Sequence, residues 1–296
     1  MNRVREMNLK RITIGTASFE RNYGILHKKV IKKDARSILE FAMSKGIQQI
    51  DTAVNYGESE KIIGWACSEK WVNRKISTKI GRICGPGCEI FENINKQVSD
   101  SIKRLRVKNI HVLYLHNPEQ LFEGNGEKIF DSLTILKKHK KIENIGFSFY
   151  DPYIIEKFIK NYKPDVVQIP FNIFDQRLIK NNYFMKYTSN NIKINIRSIY
   201  LQGLLLTGIN KLPKAIRVFR KNFLKVHKYA VKFNLKPIDI CNSFLLKYNF
   251  YDSIIVGFNS VNELKLFLNF KELNHNFNFF QFRSENEDLI SPKVWS

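Results

Sequence analysis

Four short segments of this sequence end an apolar run with a polar side chain that can take part in chemistry. They contain Asp51, Lys79, His116 and Ser148, and Tyr56 follows the first of them closely. Burying such a side chain costs free energy unless it has a partner or a task. Together they could donate a proton, because an ammonium lowers the pKa of a nearby phenol and a carboxylate keeps the ammonium charged. The pattern predicts an enzyme built around an acidified tyrosine.

These side chains need regular elements to bring them together, and the chain alternates between two kinds. Apolar runs bounded by turn residues predict strands at 11–15, 47–51, 75–79, 110–116, 142–148, 165–169, 192–198 and 253–257. Helical spacing of apolar residues predicts helices at 34–45, 58–70, 89–104, 127–140, 152–160, 176–187, 224–233, 237–248 and 261–268. Gly46 is expected to terminate the first helix.

This alternation predicts an α/β protein with the fold of a closed (β/α)8 TIM barrel. Parallel strands need crossover helices, and eight strands close without an exposed edge. We expect one domain over 1–296, with a C-terminal tail at about 272–296. A doubly wound open sheet is the alternative, weakened because no Gly-x-Gly-x-x-Gly and no phosphate-binding Gly-x-x-x-x-Gly-Lys occurs.

The ordered motifs resemble those of the aldo-keto reductase family, from about residue 12 to residue 270. They are Asp51-Thr52-Ala53-x-x-Tyr56-Gly57-x-Ser59-Glu60, Ser77-Thr78-Lys79, Leu115-His116, Ile145-Gly146-x-Ser148, Val167-Gln168-x-Pro170-x-Asn172 and Arg197-Ser198-x-x-Leu201-Gln202-Gly203. The resemblance implies a carbonyl reductase that uses a nicotinamide cofactor. The first loop and the seventh strand look like a bacterial branch associated with sugar metabolism, so a sugar-like aldehyde or ketone is the expected substrate.

The resemblance implies roles for four side chains. Tyr56 would be the general acid that protonates the carbonyl oxygen, with the Lys79 cation beside it. Asp51 would orient and neutralise Lys79. His116, as its neutral tautomer, would donate a hydrogen bond that orients the carbonyl. Each residue alone could instead cap a strand or satisfy a loop, but their joint occurrence favours catalysis.

The resemblance also implies a cofactor groove for NADP or NAD. The expected contacts are Thr16, Asp51, Ser148, Gln168, Arg197, Ser198, Gln202, Gly203, Gly257, Asn259 and Ser260. Ser148 and Gln168 correspond to positions that hold the carboxamide. Arg197 would stack on nicotinamide or pair with the pyrophosphate, and Gly203 would let the backbone approach it. The loop 199–212 is expected to fold over the ligand.

Some positions depart from the family pattern. The segment 257–263 lacks the Lys or Arg that many relatives place near the 2′-phosphate of NADP. Glu263 would repel that phosphate, whereas Lys265 could compensate, so the choice between NADP and NAD stays open. Phe267 lies near the usual adenine-contacting Asn, and Phe149 replaces another frequent Asn.

The substrate pocket is expected to come from loops. Tyr23 and Arg82 are the candidate contacts. Their loops are expected to form the rim of the pocket together with segment 117–125 and the aromatic tail. The tail could pack under the barrel or over its mouth. An accessory barrel that binds nucleotide with little turnover is the alternative function, and the intact set of four catalytic candidates argues against it.

Charge and cysteine content restrict the partners. The 49 basic and 27 acidic residues leave a net charge of +22, which attracts polyanions. We attribute the excess to a general compositional bias and expect a small carbonyl substrate, no specific nucleic-acid partner, no membrane span, and a monomer or small homo-oligomer. Cys67, Cys84, Cys88 and Cys241 show no disulfide-scaffold spacing, which suits the cytoplasm.

Two of the cysteines lie only four positions apart in the sequence. Cys84 and Cys88 flank a Gly-Pro-Gly turn and could bind a metal or cycle between redox states. The second ligand pair of a zinc site is missing, so we expect no metal.

Overall fold

Strands and helices alternate along the chain in the computed structural model, which describes residues 7–67, 71, 73–273 and 277–291. In chain order the elements are β1 (Ile12–Gly15), α1 (Lys32–Ser44), β2 (Gln49–Asp51), α2 (Ser59–Ala66), β3 (Lys75–Ile80), α3 (Ile90–Leu105), β4 (Ile110–Leu115), α4 (Gly126–Lys138), β5 (Ile142–Ser148), α5 (Ile155–Ile159), β6 (Val166–Pro170), α6 (Tyr183–Thr188), β7 (Lys193–Arg197), α7 (Arg220–Lys232), α8 (Pro237–Lys247), β8 (Ser253–Gly257), α9 (Val261–Leu268) and α10 (Glu287–Ile290).

The strands form a closed parallel barrel in the order of the sequence. Each strand pairs with the next, and β8 pairs with β1 to complete the circle. The register places Gly15 opposite Asp51 and Asp51 opposite Ser77, so the carboxyl ends of the first strands lie side by side. The TIM-barrel prediction is confirmed, and closure excludes the doubly wound sheet.

Apolar stripes attach the helices to the barrel. On α3 the buried residues recur three or four positions apart, as one face of a helix requires. At the end of α1, Gly46 adopts a φ of +82°. The Ile47 and Gly46 amides then donate to the carbonyls of Ala42 and Met43 at 3.0 and 2.9 Å. This is a Schellman termination, and it confirms the predicted end of the helix.

The helix predicted at 176–187 is wrong over its first half, because α6 begins only at Tyr183. Asn172 accepts hydrogen bonds from the amides of Phe174 and Asp175, each at 3.0 Å. The Gln176 side chain donates to the Phe279 carbonyl at 2.9 Å. Side-chain bonds to the backbone thus hold this segment in a turn, which competes with a helix. The last residues of the helix predicted at 58–70 lie outside the described residues.

The described part of the aromatic tail, 277–291, packs against α7, α8 and the loop after β6. The Phe279 ring lies 5.6 Å from Phe244 of α8, and the Phe282 ring lies 5.4 Å from Tyr229 of α7. The Ser284 amide donates to the carbonyl of Phe174 in the loop after β6 at 3.0 Å. In the described part of the chain, no helix combines the length and apolarity needed to cross a bilayer.

Candidate active site

A cavity of about 480 Å³ opens at the carboxyl ends of the strands. Its walls come from the ends of β1, β2, β6, β7 and β8, and from the loops that follow β1 and β7. Its lining includes Asp51 and Tyr56, at and after the end of β2, and Asn259, Glu263 and Leu266, after β8 and on α9. We call this cavity the groove, the part lined by Asp51 and Tyr56 its inner end, and the part lined by Asn259, Glu263 and Leu266 its far end.

Asp51 and Lys79 form a buried ion pair at the inner end of this groove. Their side chains are 5% and 1% exposed, and the Lys79 ammonium donates to Asp51 Oδ1. It also donates to the Thr52 carbonyl at 3.0 Å. Burial lowers the pKa of Lys79, while the carboxylate of Asp51 opposes that shift. The expected role of Asp51 therefore has a direct geometric basis, because an isolated buried ammonium would lose its proton.

Tyr56 lies beside this pair, in the loop after β2. The Lys79 ammonium is 5.3 Å from the centroid of its ring, and the His116 ring meets it edge-on at 6.4 Å. Removal from water raises the pKa of Tyr56, and the negative charge of Asp51 raises it further. The structure thus corrects the prediction of an acidified tyrosine: in the free protein Tyr56 is a fully protonated phenol.

His116 follows β4 and is held in its neutral form. Burial and the positive charges of Lys79 and Arg197 lower its pKa to about 4. A neutral imidazole can donate from one ring nitrogen only, which is all that orienting a carbonyl oxygen requires. The prediction of a neutral His116 agrees with this environment.

Sequence reasoning missed Tyr114, which fills the barrel beneath Lys79. The Lys79 ammonium lies 5.6 Å from its ring centroid, and Asn195 of β7 donates to its hydroxyl at 2.8 Å. Gly146 of β5 makes room for it, because a Cβ there would lie 2.4 Å from a ring carbon of Tyr114. A glycine inside a strand was the available signal of such a close approach.

Gln168 and Ser148 differ in their access to the groove. The Gln168 amide lines the groove and donates to Asp51 Oδ2 at 2.8 Å, so Asp51 is held on both oxygens. Ser148 is buried at the end of β5 and is not among the lining residues. Thr16 lines the groove, and its hydroxyl donates to the Asp51 carbonyl at 3.0 Å.

Arg197 projects from the end of β7 into the same region. Its guanidinium lies 4.3 Å from the ring centroid of Tyr150 and donates to the Phe149 carbonyl at 3.1 Å and to the Ser198 hydroxyl at 3.2 Å. One face of this planar cation is thus covered by an aromatic ring. The contact with Tyr150 was not foreseen from the sequence.

The loop after β7 has an unusual backbone where the pyrophosphate contact is expected. Ser198, Leu201, Gln202 and Gly203 all have φ between +47° and +90°. Left-handed backbone in residues other than glycine costs free energy and often marks a functional site. Gln202 Oε1 accepts from the Ile25 amide at 2.8 Å, so its side chain ties this loop to the loop after β1.

The far end of the groove is organised around Glu263. Its Oε2 accepts from the Asn259 amide at 2.7 Å and from the Asn259 side chain at 2.9 Å. Ser260 accepts from the Glu263 amide at 3.2 Å and so caps α9. Asn259, Gly257 and Glu263 line the groove, whereas Ser260 is not among the lining residues and is used as a cap.

Lys28 is the cation nearest to Glu263, at 3.5 Å. The Lys265 ammonium lies 5.5 Å from the ring centroid of Phe41 on α1, and Phe267 is fully buried. Neither of the last two lines the groove. The expected compensation by Lys265 therefore has no support in the geometry.

Of the two candidate substrate contacts, only one reaches the groove. Tyr23 lines the groove. Arg82 is more than half exposed and pairs with Glu123 on the surface, so the structure does not bring it to the groove. Cys84 and Cys88 are exposed and unpaired, and the described residues contain no cluster of His, Cys, Asp and Glu that could hold a metal ion.

Comparison with known proteins places this geometry in a family. The sequence profile of the Aldo/keto reductase family matches residues 11–283. A D-arabinose 1-dehydrogenase of Saccharomyces cerevisiae is 33% identical over 122 residues, which are 38% of this chain and 36% of that protein. The match thus spans about a third of the relative's length.

Solved structures share the fold across nearly the whole chain. The holo form of an aldo-keto reductase from Bacillus halodurans superposes with a TM-score of 0.75 at 17% identity, covering 96% of this chain and 97% of that one. A glycerol dehydrogenase from Gluconobacter oxydans gives a TM-score of 0.68 at 21% identity, covering 92% and 91%. The chain belongs to the aldo-keto reductases, a family of NAD(P)-dependent oxidoreductases.

Proposed function

We propose that this protein interconverts an aldehyde or ketone and its alcohol, with Tyr56 as the general acid. The main support for this proposal is that Tyr56 lies at the inner end of the groove. The His116 ring and the buried pair of Lys79 and Asp51 flank it there. The proposal extends to hydroxylated, sugar-like carbonyls, because the named relatives include an arabinose and a glycerol dehydrogenase.

The residues present fit a nicotinamide dinucleotide. The groove is lined by the Gln168 amide, the Arg197 cation, and Gln202 and Gly203 with their left-handed backbone. Backbone amides and a guanidinium suit a pyrophosphate. When bound, the reduced nicotinamide supplies the hydride. Gln168 and Arg197 would position it against the substrate.

The protein's own contribution is control of one proton. Tyr56 enters the reaction protonated, since an ordinary tyrosine already titrates near pH ~10 and burial and Asp51 raise the pKa of this one further. As the carbonyl oxygen gains negative charge, it takes the phenolic proton, and the phenolate that forms is stabilised by nearby cations. Lys79 lies 5.3 Å and Arg21 lies 5.9 Å from the ring centroid of Tyr56. Positive charge placed where negative charge develops lowers the barrier.

His116 would hold the substrate oxygen during this transfer. Its imidazole is neutral and packs against the edge of Tyr56, so both rings can reach one oxygen atom. A hydrogen bond from His116 would stabilise the charge that grows on that oxygen. The pocket thus contains both a proton donor and an orienting donor.

The free thiols of all four cysteines support a cytoplasmic location.

The decisive experiment compares wild type with Tyr56→Phe. Stopped-flow mixing with NADH or NADPH and a panel of aldehydes should show turnover by the wild type. The variant should lose about 10² to 10⁴ in kcat while still binding nucleotide, because only the acid is removed. Undiminished turnover by the variant would refute the mechanism. Tight nucleotide binding by the wild type without turnover of any carbonyl would indicate an accessory barrel instead.

A further inference from the structure

The excess of basic residues is not uniform along the chain. Residues 176–238 contain no Asp or Glu and 14 Lys or Arg. Nine of those 14 lie between 211 and 236, in and around α7. Blocks of one charge sign are typical of segments that contact an oppositely charged partner. This region therefore differs from the scattered lysines elsewhere.

The four lysines of α7 lie in a line on its outer face. Lys221, Lys225, Lys228 and Lys232 follow one another at intervals of four, three and four positions, which is one stripe of a helix. Lys225 is half-buried and the other three are exposed. The stripe is about 16 Å long at ~1.5 Å per residue. We call these four side chains the lysine stripe.

Carboxylates do not neutralise this stripe. Within the described residues, none of the nine Lys and Arg side chains of 211–236 forms an ion pair with an Asp or Glu. Elsewhere, cations such as Lys137 and Arg104 are paired with Asp165 and Glu60. Like charges at helical spacing repel one another and cost some stability when nothing opposes them.

One end of the lysine stripe borders a shallow groove of about 210 Å³ between α7 and the tail. Its walls include Lys221, Lys225, Arg283 and the ring of Phe282, with the Lys225 ammonium 5.6 Å from the centroid of that ring. Phe280, from the same turn of the tail, is 47% exposed. The Phe282 ring itself is buried, so the exposed Phe280 ring, which lies beside the groove and does not line it, is the aromatic surface next to these cations.

We propose that the lysine stripe and this groove bind the phosphate backbone of a single-stranded nucleic acid. A row of cations follows a chain of phosphates, and an exposed aromatic ring offers a surface on which a base can stack. An anionic membrane is the less favoured partner. Phe223, Val226 and Ala230 of α7 are buried, and Val231 is the one exposed large apolar side chain within this helix, which is too little apolar surface for insertion into lipid.

The test measures binding of a fluorescein-labelled 20-nucleotide poly(U) RNA to the full-length protein by anisotropy over a salt series. Four phosphate contacts predict a log–log slope of about −3, from about −0.7 per contact on a single strand. The triple variant K221E/K228E/K232E should bind at least tenfold more weakly and with a shallower slope. The matched control K33E/K103E/K138E changes the same number of exposed lysines on α1, α3 and α4 and should bind like the wild type.

Two further measurements distinguish nucleic-acid binding from a folding defect and from membrane binding. Carbonyl reduction and the thermal unfolding midpoint should be the same in both triple variants, which shows that the barrel is intact. Vesicles containing 30% phosphatidylserine supply the membrane arm. Equal loss of RNA binding in the control, no binding at 50 mM salt, or binding to vesicles without binding to RNA would each overturn the proposal.

Discussion

Asp51 holds the Lys79 ammonium with one carboxylate oxygen and accepts from the Gln168 amide with the other. The ion pair is almost fully buried, and the second hydrogen bond measures 2.8 Å. A buried ion pair costs much of its attraction in lost hydration, but removal of one partner leaves an uncompensated charge. This carboxylate therefore contacts both Lys79 and Gln168, and it opposes the lowering of the Lys79 pKa by burial.

Asp51→Asn should disable Lys79 without removing it. The amide cannot offset the burial that lowers the pKa of Lys79, so the ammonium should lose its proton more readily. We expect kcat to fall by about 10² or more, on the scale of general-acid effects. Steady-state kinetics with a simple aldehyde checks the loss. Unchanged kcat in a folded Asp51→Asn variant would contradict the assigned role of the pair.

Stability should depend on pH through His116. Its folded-state pKa of about 4 lies below the ordinary value of 6.5, so the unfolded chain binds more protons between these values. Stability must therefore rise with pH across that window and fall as the pH drops from about 6.5 towards 4. Urea midpoints measured at pH 4.5 and 7 should differ less for His116→Gln than for the wild type. An equal difference in the two proteins would show that His116 is not responsible.

Gly146→Ala should destabilise the barrel. Its new Cβ would lie 2.4 Å from a ring carbon of Tyr114, which is fully buried and cannot move aside. We expect a loss of about 2 kcal/mol in the free energy of unfolding, the scale of core overpacking. Gly208→Ala is the matched control, because its φ of −58° suits alanine and nothing lies within 4 Å of the added Cβ. Chemical denaturation of both variants measures the difference, and equal stabilities would refute the prediction.

Glu263 should bias the choice of cofactor towards NADH. Its carboxylate lines the far end of the groove, where it would repel a 2′-phosphate, and Lys28, 3.5 Å away, offsets part of that charge. Glu263→Lys should improve the Kd ratio in favour of NADPH by about tenfold, since one charge is reversed. Equilibrium binding by protein fluorescence measures both ratios without turnover. Glu263→Gln serves as the control, because its amide oxygen can still accept the bonds from Asn259. If both variants keep the wild-type ratio of the Kd values for NADPH and NADH, the 2′-phosphate must bind away from Glu263.

The catalytic candidates were predictable because they are local signals repeated at strand ends. Asp51, Lys79 and His116 each end an apolar run, and eight such runs separated by helices allow few folds other than a closed barrel. Barrel closure then brings residues distant in sequence to one face. Gly46 was likewise readable, since a helix end that needs positive φ favours glycine.

Residues whose role depends on a distant neighbour were not predictable in this way. Arg82 forms an ion pair with Glu123 on the surface, and the Gln176 side chain donates a hydrogen bond to the tail from a turn. Tyr56 was expected to be acidified by Lys79, yet burial and the charge of Asp51 raise its pKa. A sequence lists which groups are present, but burial and distance determine the electrostatic environment of each.

The sequence by itself determined the barrel, the family and the four candidate catalytic residues, because hydrophobic period and motif order are properties of the chain. The tertiary structure alone decided which of these residues reach the groove, that Glu263 faces it while Lys265 does not, and that Lys221, Lys228 and Lys232 are exposed while Lys225 is half-buried. The physical reason is that contact energies act through space, and only the packed fold sets those distances.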